Sequence, residues 1–152
     1  MAEEQAQSAA EQQFGIQRIY IRDVSFESPM GASVFKGQFS PQIKVDLNTG
    51  HEEVEEDIYE VVLSVTVTAS LEDKVAFLIE VQQAGLFHIG GFEGEQLRQV
   101  LAMACPNVLF PYAREAIDDL AVRGTFPPLM LQPVNFEALY RQAVEQQAQK
   151  VN

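Results

Sequence analysis

Residues 59–87 read YEVVLSVTVTASLEDKVAFLIEVQQAGLF. From Val61 to Leu71 the odd positions are Val61, Leu63, Val65, Val67, Ala69 and Leu71, and the even ones are Val62, Ser64, Thr66, Thr68 and Ser70. A period of two puts a continuous apolar row on one face of a strand and hydroxyls on the other. Leu71-Glu72-Asp73-Lys74 turns the chain, and Val75 to Val81 resumes the alternation. The stretch predicts a long β-hairpin without a nucleophile or a metal cluster. It points to a protein that builds a surface and works by binding.

Upstream, Ile16 to Glu27 reads as a first strand weighted by Ile19, Ile21, Val24 and Phe26. Its alternation slips near Asp23, which marks a bulge. Ser28-Pro29-Met30-Gly31 breaks it, and a loop carrying Phe35 and Phe39 follows. Ile43, Val45 and Leu47 alternate with Lys44 and Asp46 as a second strand, which Asn48-Thr49-Gly50 is expected to turn. The acidic run Glu52 to Asp57 reads as a solvated loop.

Downstream, Gly85, Gly90, Gly91 and Gly94 are expected to end the sheet as hinge and turn glycines. Two helices are expected next, Glu95 to Ala104 and Val108 to Arg123. Cys105-Pro106-Asn107 interrupts them, Asn107 serves as N-cap, Pro111 lies near the first turn and Gly124 occupies C′. Thr125 to Pro133 holds three prolines and must be extended. Asn135 caps a last helix with Phe136, Leu139, Tyr140 and Ala143 on one face. Strands followed by helices give an α+β domain on an antiparallel sheet. Residues 1–13 are expected to be a flexible lead-in, 14–144 one domain, and 145–152 a flexible tail.

A chain of 152 residues is long enough to bury a core. Its formal charge of −12 disfavours nucleic acid and anionic membranes and favours basic partners. The single cysteine, Cys105, excludes an internal disulfide and fits a reducing compartment. It sits in an apolar helix without a histidine near it in sequence, as a packing thiol does. No apolar run is long enough to cross a bilayer, and the first residues lack the basic and apolar parts of a secretory signal. A cytoplasmic location is expected.

Catalytic signals are missing. His51 and His88 have no second histidine at ligand spacing. The glycines near residue 90 lack the Lys-Ser or Lys-Thr of a phosphate loop. No metal or cofactor is called for. What remains is a set of large hydrophobes on loops and the second strand: Phe35, Phe39, Ile43, Val45, Leu47, Phe126 and Leu131. Each alone reads as core; together they read as an apolar groove.

Gln17-Arg18-Ile19-Tyr20 with Asp23 and Ser25-Phe26-Glu27, Tyr59 to Ala69, Phe77-Leu78 with Glu80-Val81-Gln82-Gln83, Pro106-Asn107 with Leu109 to Glu115, and Arg123-Gly124-Thr125-Phe126-Pro127 with Pro133-Val134-Asn135-Phe136 together resemble the SecB protein-export chaperones. The resemblance runs from about Phe14 to Tyr140. It implies a four-stranded antiparallel sheet with C-terminal helices packed on it, assembled as a dimer of dimers. It also implies a chaperone without ATPase activity. Such proteins hold unfolded precursors in the cytoplasm and deliver them to the motor ATPase SecA. The family's motor-docking positions fall on Asp23, Glu27, Leu78 and Glu80. Its oligomer-supporting positions fall on Ile79, Val81 and Gln83, which also read as plain core. The tail, Glu145 to Asn152, is shorter than family tails often are and carries Lys150. Two other classes fit the residues: a related chaperone of a toxin–antitoxin system, and a small-ligand binding protein or enzyme with an apolar groove.

Overall fold

The structure, a computed structural model, describes residues 11–151. The lead-in expected over 1–13 lies outside the described residues as far as residue 10, and Gln13 already belongs to a strand. Four strands, β1 (Gln13–Glu27), β2 (Gln42–Glu55), β3 (Ile58–Leu71) and β4 (Lys74–Gly90), form one antiparallel sheet in the order β1-β4-β3-β2. The hairpin read from residues 59–87 is its centre. Val65 lies opposite Val81 and Val67 opposite Ile79, so the odd residues of both strands share one face. Val61, Leu63, Val65, Val67, Phe77, Ile79 and Val81 are buried there.

β1 slips register between Ile21 and Asp23, at the expected bulge, and again between Ile16 and Arg18. β2 differs from expectation. It runs straight through Asn48-Thr49-Gly50 and takes in His51 and most of the acidic run, because thirteen of its residues find partners on β3. The turn falls instead at Asp57, whose φ of 62° is one that Asp tolerates better than most residues. Gly85 also lies inside β4 rather than at its end. It is glycine because Phe87 folds back over it and Leu109 presses from above: an added Cβ would stand 2.6 Å from one and 3.0 Å from the other.

Residues 94–123 form one uninterrupted helical run: α1 (Gly94–Gln99), a π-turn segment (Val100–Ala104) and α2 (Cys105–Arg123). The break expected at Cys105-Pro106-Asn107 does not occur, and Asn107 is not an N-cap. Pro106 has no N–H to close an ordinary helical turn, and the turn before it widens, with the Cys105 N–H donating to Val100 C=O. Pro111 lies within α2. α2 buries Leu109, Ala113, Ile117 and Ala121 against the sheet. Gly124 has φ −82°, so it is not a left-handed cap. It is small because the Phe26 ring leaves no room for a Cβ. α3 (Phe136–Val151) starts at Asn135, whose Oδ1 accepts the Ala138 N–H at 3.0 Å. It continues as helix through the segment expected to be a flexible tail.

Gly85→Ala should overpack the helix–sheet contact. The denaturation midpoint should fall by the equivalent of about 1–3 kcal/mol, with an unchanged m-value, in a urea titration followed by circular dichroism.

Candidate functional site

α2 covers β3 and β4, the middle strands, and the outer strands keep apolar residues open. On β2, Ile43 and Val45 lie opposite Ala69 and Val67 on the helix-bearing face, yet both stay exposed. On β1 the corresponding row is Phe14, Ile16, Ile21 and Val24, again exposed.

Near the β3–β4 turn the helix-bearing face carries a cluster of phenylalanines. The ring of Phe126 lies 4.7 Å from Phe77, 5.2 Å from Phe39, 5.7 Å from Phe35 and 6.3 Å from Phe26, measured between centroids. These are separations at which aromatic pairs attract. Phe126 is held by its N–H donating to Ala121 C=O at 2.9 Å, which continues α2 past its end. The structure therefore brings Phe35, Phe39 and Phe126 together. Phe126 itself is 5 % exposed and forms the floor, whereas Phe35 is 57 % exposed and forms the open rim. Leu47 and Leu131 are half-buried against the core. Phe26 and Phe77 belong to the cluster and were missed. In the sequence they read only as strand residues, and only the third dimension shows that they support an open surface.

A second recess, of about 740 Å³, lies between the helical run and the start of α3. Phe92, Val100, Met103, Val134 and Phe136 line it. Nothing in the sequence spacing joins these positions.

The opposite face of the sheet is polar. Glu27 pairs with Leu78, Ser25 with Glu80 and Asp23 with Gln82, so Asp23, Glu27, Leu78 and Glu80 occupy neighbouring places on one face. Thr66 and Thr68 of β3 continue it, opposite Glu80 and Leu78. Among the described residues, none of these three carboxylates is in an ion pair. Farther along, Glu60 accepts hydrogen bonds from the Tyr20 hydroxyl and, at 2.9 Å, from Arg22. Burial, and then the Glu60 carboxylate, push the Tyr20 phenol up to about 12. This pairing stitches β1 to β3 across β4.

Ile79, Val81 and Gln83 lie on the helix-bearing face and are only 0 %, 1 % and 3 % exposed. Gln83 donates to Tyr20 C=O at 3.1 Å. All three are sealed within the protomer. Cys105 is fully buried, and burial pushes its thiol from 9.0 up to about 12, so it is no nucleophile at neutral pH. Among the described residues, no cluster of three or more His, Cys, Asp or Glu could hold a metal ion, and no helix is long and apolar enough to cross a membrane.

Comparison with known proteins adds to this geometry. The family described as preprotein translocase subunit SecB matches residues 7–147. A protein-export protein SecB of Hahella chejuensis is 55 % identical over 148 residues, covering 97 % of this chain and 93 % of its own. Its counterpart in Marinobacter nauticus is 51 % identical, covering 99 % of this chain and 93 % of its own. Among solved structures, a SecB-like chaperone of Mycobacterium tuberculosis, in complex with an antitoxin peptide, superposes with a TM-score of 0.64 at 17 % identity. That match covers 80 % of this chain and 91 % of the other, and it bears on the fold.

Phe126→Ala should cost about 3–5 kcal/mol in chemical denaturation, while Phe35→Ala should cost less than about 1 kcal/mol. The Cys105 thiol gives a pH signature. Its pKa is raised in the folded state, so its contribution is complete below about pH 9 and is lost as pH rises toward about 12. Between those limits the thiol should lower stability by at most about 1.4 kcal/mol per pH unit, a share that Cys105→Ala removes while the fall added above about pH 10 by Tyr20 and Tyr59, both raised to about 12, remains.

Proposed function

This chain belongs to the SecB family of preprotein translocase subunits, and from that premise we propose that it holds unfolded precursors in the cytoplasm, keeps them translocation-competent and passes them to the SecA motor ATPase. The family is one of protein-export chaperones and not of enzymes. The observation that carries the reading is the split character of the sheet. Among the described residues, one face leaves apolar flanks and an aromatic rim exposed, and the other presents carboxylates that enter no ion pair.

The client groove is formed by Phe35, Phe39, Ile43, Val45, Leu47, Phe126 and Leu131. Exposed Ile43 and Val45 lie on an edge strand, so a bound chain gains apolar contacts together with free backbone N–H and C=O groups. Neither contact depends on a particular client sequence, which gives broad choice. A folded protein has already buried the groups that the groove takes up, so it is not held. No cofactor and no ATP hydrolysis enter this cycle.

Asp23, Glu27 and Glu80 surround Leu78 as a docking surface for a basic module of the motor. The acid rim steers the approach and Leu78 supplies the apolar contact. The working unit is a dimer of dimers. Support comes from β1, an edge strand whose apolar row Phe14, Ile16, Ile21 and Val24 stays exposed among the described residues. Ile79, Val81 and Gln83 act on assembly from beneath, by fixing the shape of the face that the copies share.

Light scattering after size exclusion should give the mass of four chains, and a reduced, unfolded polypeptide should bind where its folded form does not. A monomer that ignores the unfolded polypeptide would sink the proposal. Glu80→Lys should abolish capture of SecA while leaving binding of the unfolded polypeptide within about twofold. Capture by the unaltered protein should weaken as salt rises.

A further inference from the structure

Asp118 and Asp119 are adjacent on α2 and do different things. Asp119 pairs with Arg123 one turn along the helix at 3.1 Å. Asp118 reaches out of the helix. Its Oδ1 accepts two successive backbone N–H groups of the crossover between α2 and α3, Leu129 at 3.0 Å and Met130 at 3.2 Å. Successive amides that converge on one point make a small anion-binding concavity, and here the anion is the protein's own carboxylate.

The crossover has few other ties. Pro127, Pro128 and Pro133 carry no N–H. Among the described residues, the two bonds to Asp118 are the only hydrogen bonds donated by backbone amides between Phe126 and Asn135. Met130 adopts φ 52°, a left-handed conformation that a methionine keeps only under constraint, and its side chain is 71 % exposed. The neighbours Leu129 and Leu131 pack against the core. A tether to the helix thus fixes a loop that would otherwise be free to shift, between Phe126 at the floor of the groove and Leu131 at its wall.

We infer that Asp118 is a positioning residue for client binding: its carboxylate pins the crossover to α2 and holds Leu131 and Phe126 in register as one side of the groove. The inference rests on the groove reading above. Asp118 acts as a hydrogen-bond acceptor here, and its negative charge is not what the client meets. A wall fixed before the client arrives does not have to be ordered at the moment of binding, so the bound chain is released more slowly.

The test compares Asp118→Ala with Asp118→Asn in the full-length protein, using a reduced, unfolded polypeptide as client. Asn keeps an acceptor oxygen and loses the charge. In Asp118→Ala, amide exchange at Leu129 and Met130 should accelerate at least about tenfold and client release should quicken about three- to tenfold. Asp118→Asn should match the parent in both. Faster exchange with unchanged release overturns the positioning role. Quickened release in Asp118→Asn, with exchange as in the parent, overturns it too, because charge would then be what counts. If Asp118→Ala does not fold, parent-like release in Asp118→Asn supports the role and quickened release refutes it. Failure of the groove reading looks different: release from the unaltered protein would be insensitive to Phe35→Ala and Val45→Ser.

Discussion

A helix with its side chains is about 10–12 Å across, and the axes of four strands about 4.8 Å apart span about 14 Å, before the outer strands' own width is added. One helix cannot cover such a sheet. α2 lies over β3 and β4, where Leu109, Ala113 and Ile117 share one buried cluster with Val61, Leu63, Val65 and Val81. Covering the outer strands would take a second helix alongside, and none lies there among the described residues. α3 packs against the π-turn segment instead. The open flanks on β1 and β2 follow from this shortage of cover. The large hydrophobes left in water there are what the proposed assembly and client binding would bury.

The sheet's two faces carry different tasks because a strand alternates. On β4, Ile79 and Val81 face the helix while Leu78 and Glu80 face away. A single stretch, residues 78–81, therefore serves the core and the acidic face at once. Any shift of register by one residue would exchange them, putting Glu80 under α2 and Ile79 into solvent. The bulge between Ile21 and Asp23 matters for the same reason. It restores Asp23 to the face that Glu27 occupies after the strand has slipped.

The fold was legible wherever the pattern was local. The central hairpin, the β1 bulge and the Asn135 cap can each be read within a dozen residues. β2 was misjudged at Asn48-Thr49-Gly50, since turn chemistry is a weak local preference and a full ladder with β3 overrides it. The helix was misjudged at Pro106, because a widened turn absorbs a proline that would end an ordinary helix. The acidic face was legible through family resemblance combined with strand parity. The aromatic cluster was only half legible: Phe26, Phe35, Phe39, Phe77 and Phe126 come from four separate parts of the chain, and no spacing connects them. Gly124 shows the same limit. A cap was a fair reading of its position, but the Phe26 ring, nearly a hundred residues away in sequence, is what keeps it small.

Binding unfolded chains without ATP sets a narrow energetic range. Burying a Leu or Phe side chain contributes roughly 1.5–3 kcal/mol, while fixing each client residue costs about 1–2 kcal/mol. A short segment in one groove gains little after that cost, so it leaves easily. Several grooves on one assembly convert later contacts into intramolecular ones and raise the overall affinity without a stronger contact anywhere. Release then needs no fuel, only loss of one contact after another as a receiving machine draws the chain away. The surplus of acid over base limits the opposite failure, in which the same open flanks would join assemblies to one another. On the proposed reading, weak grooves, several copies and a strongly negative surface are parts of one solution: each would be a defect without the other two.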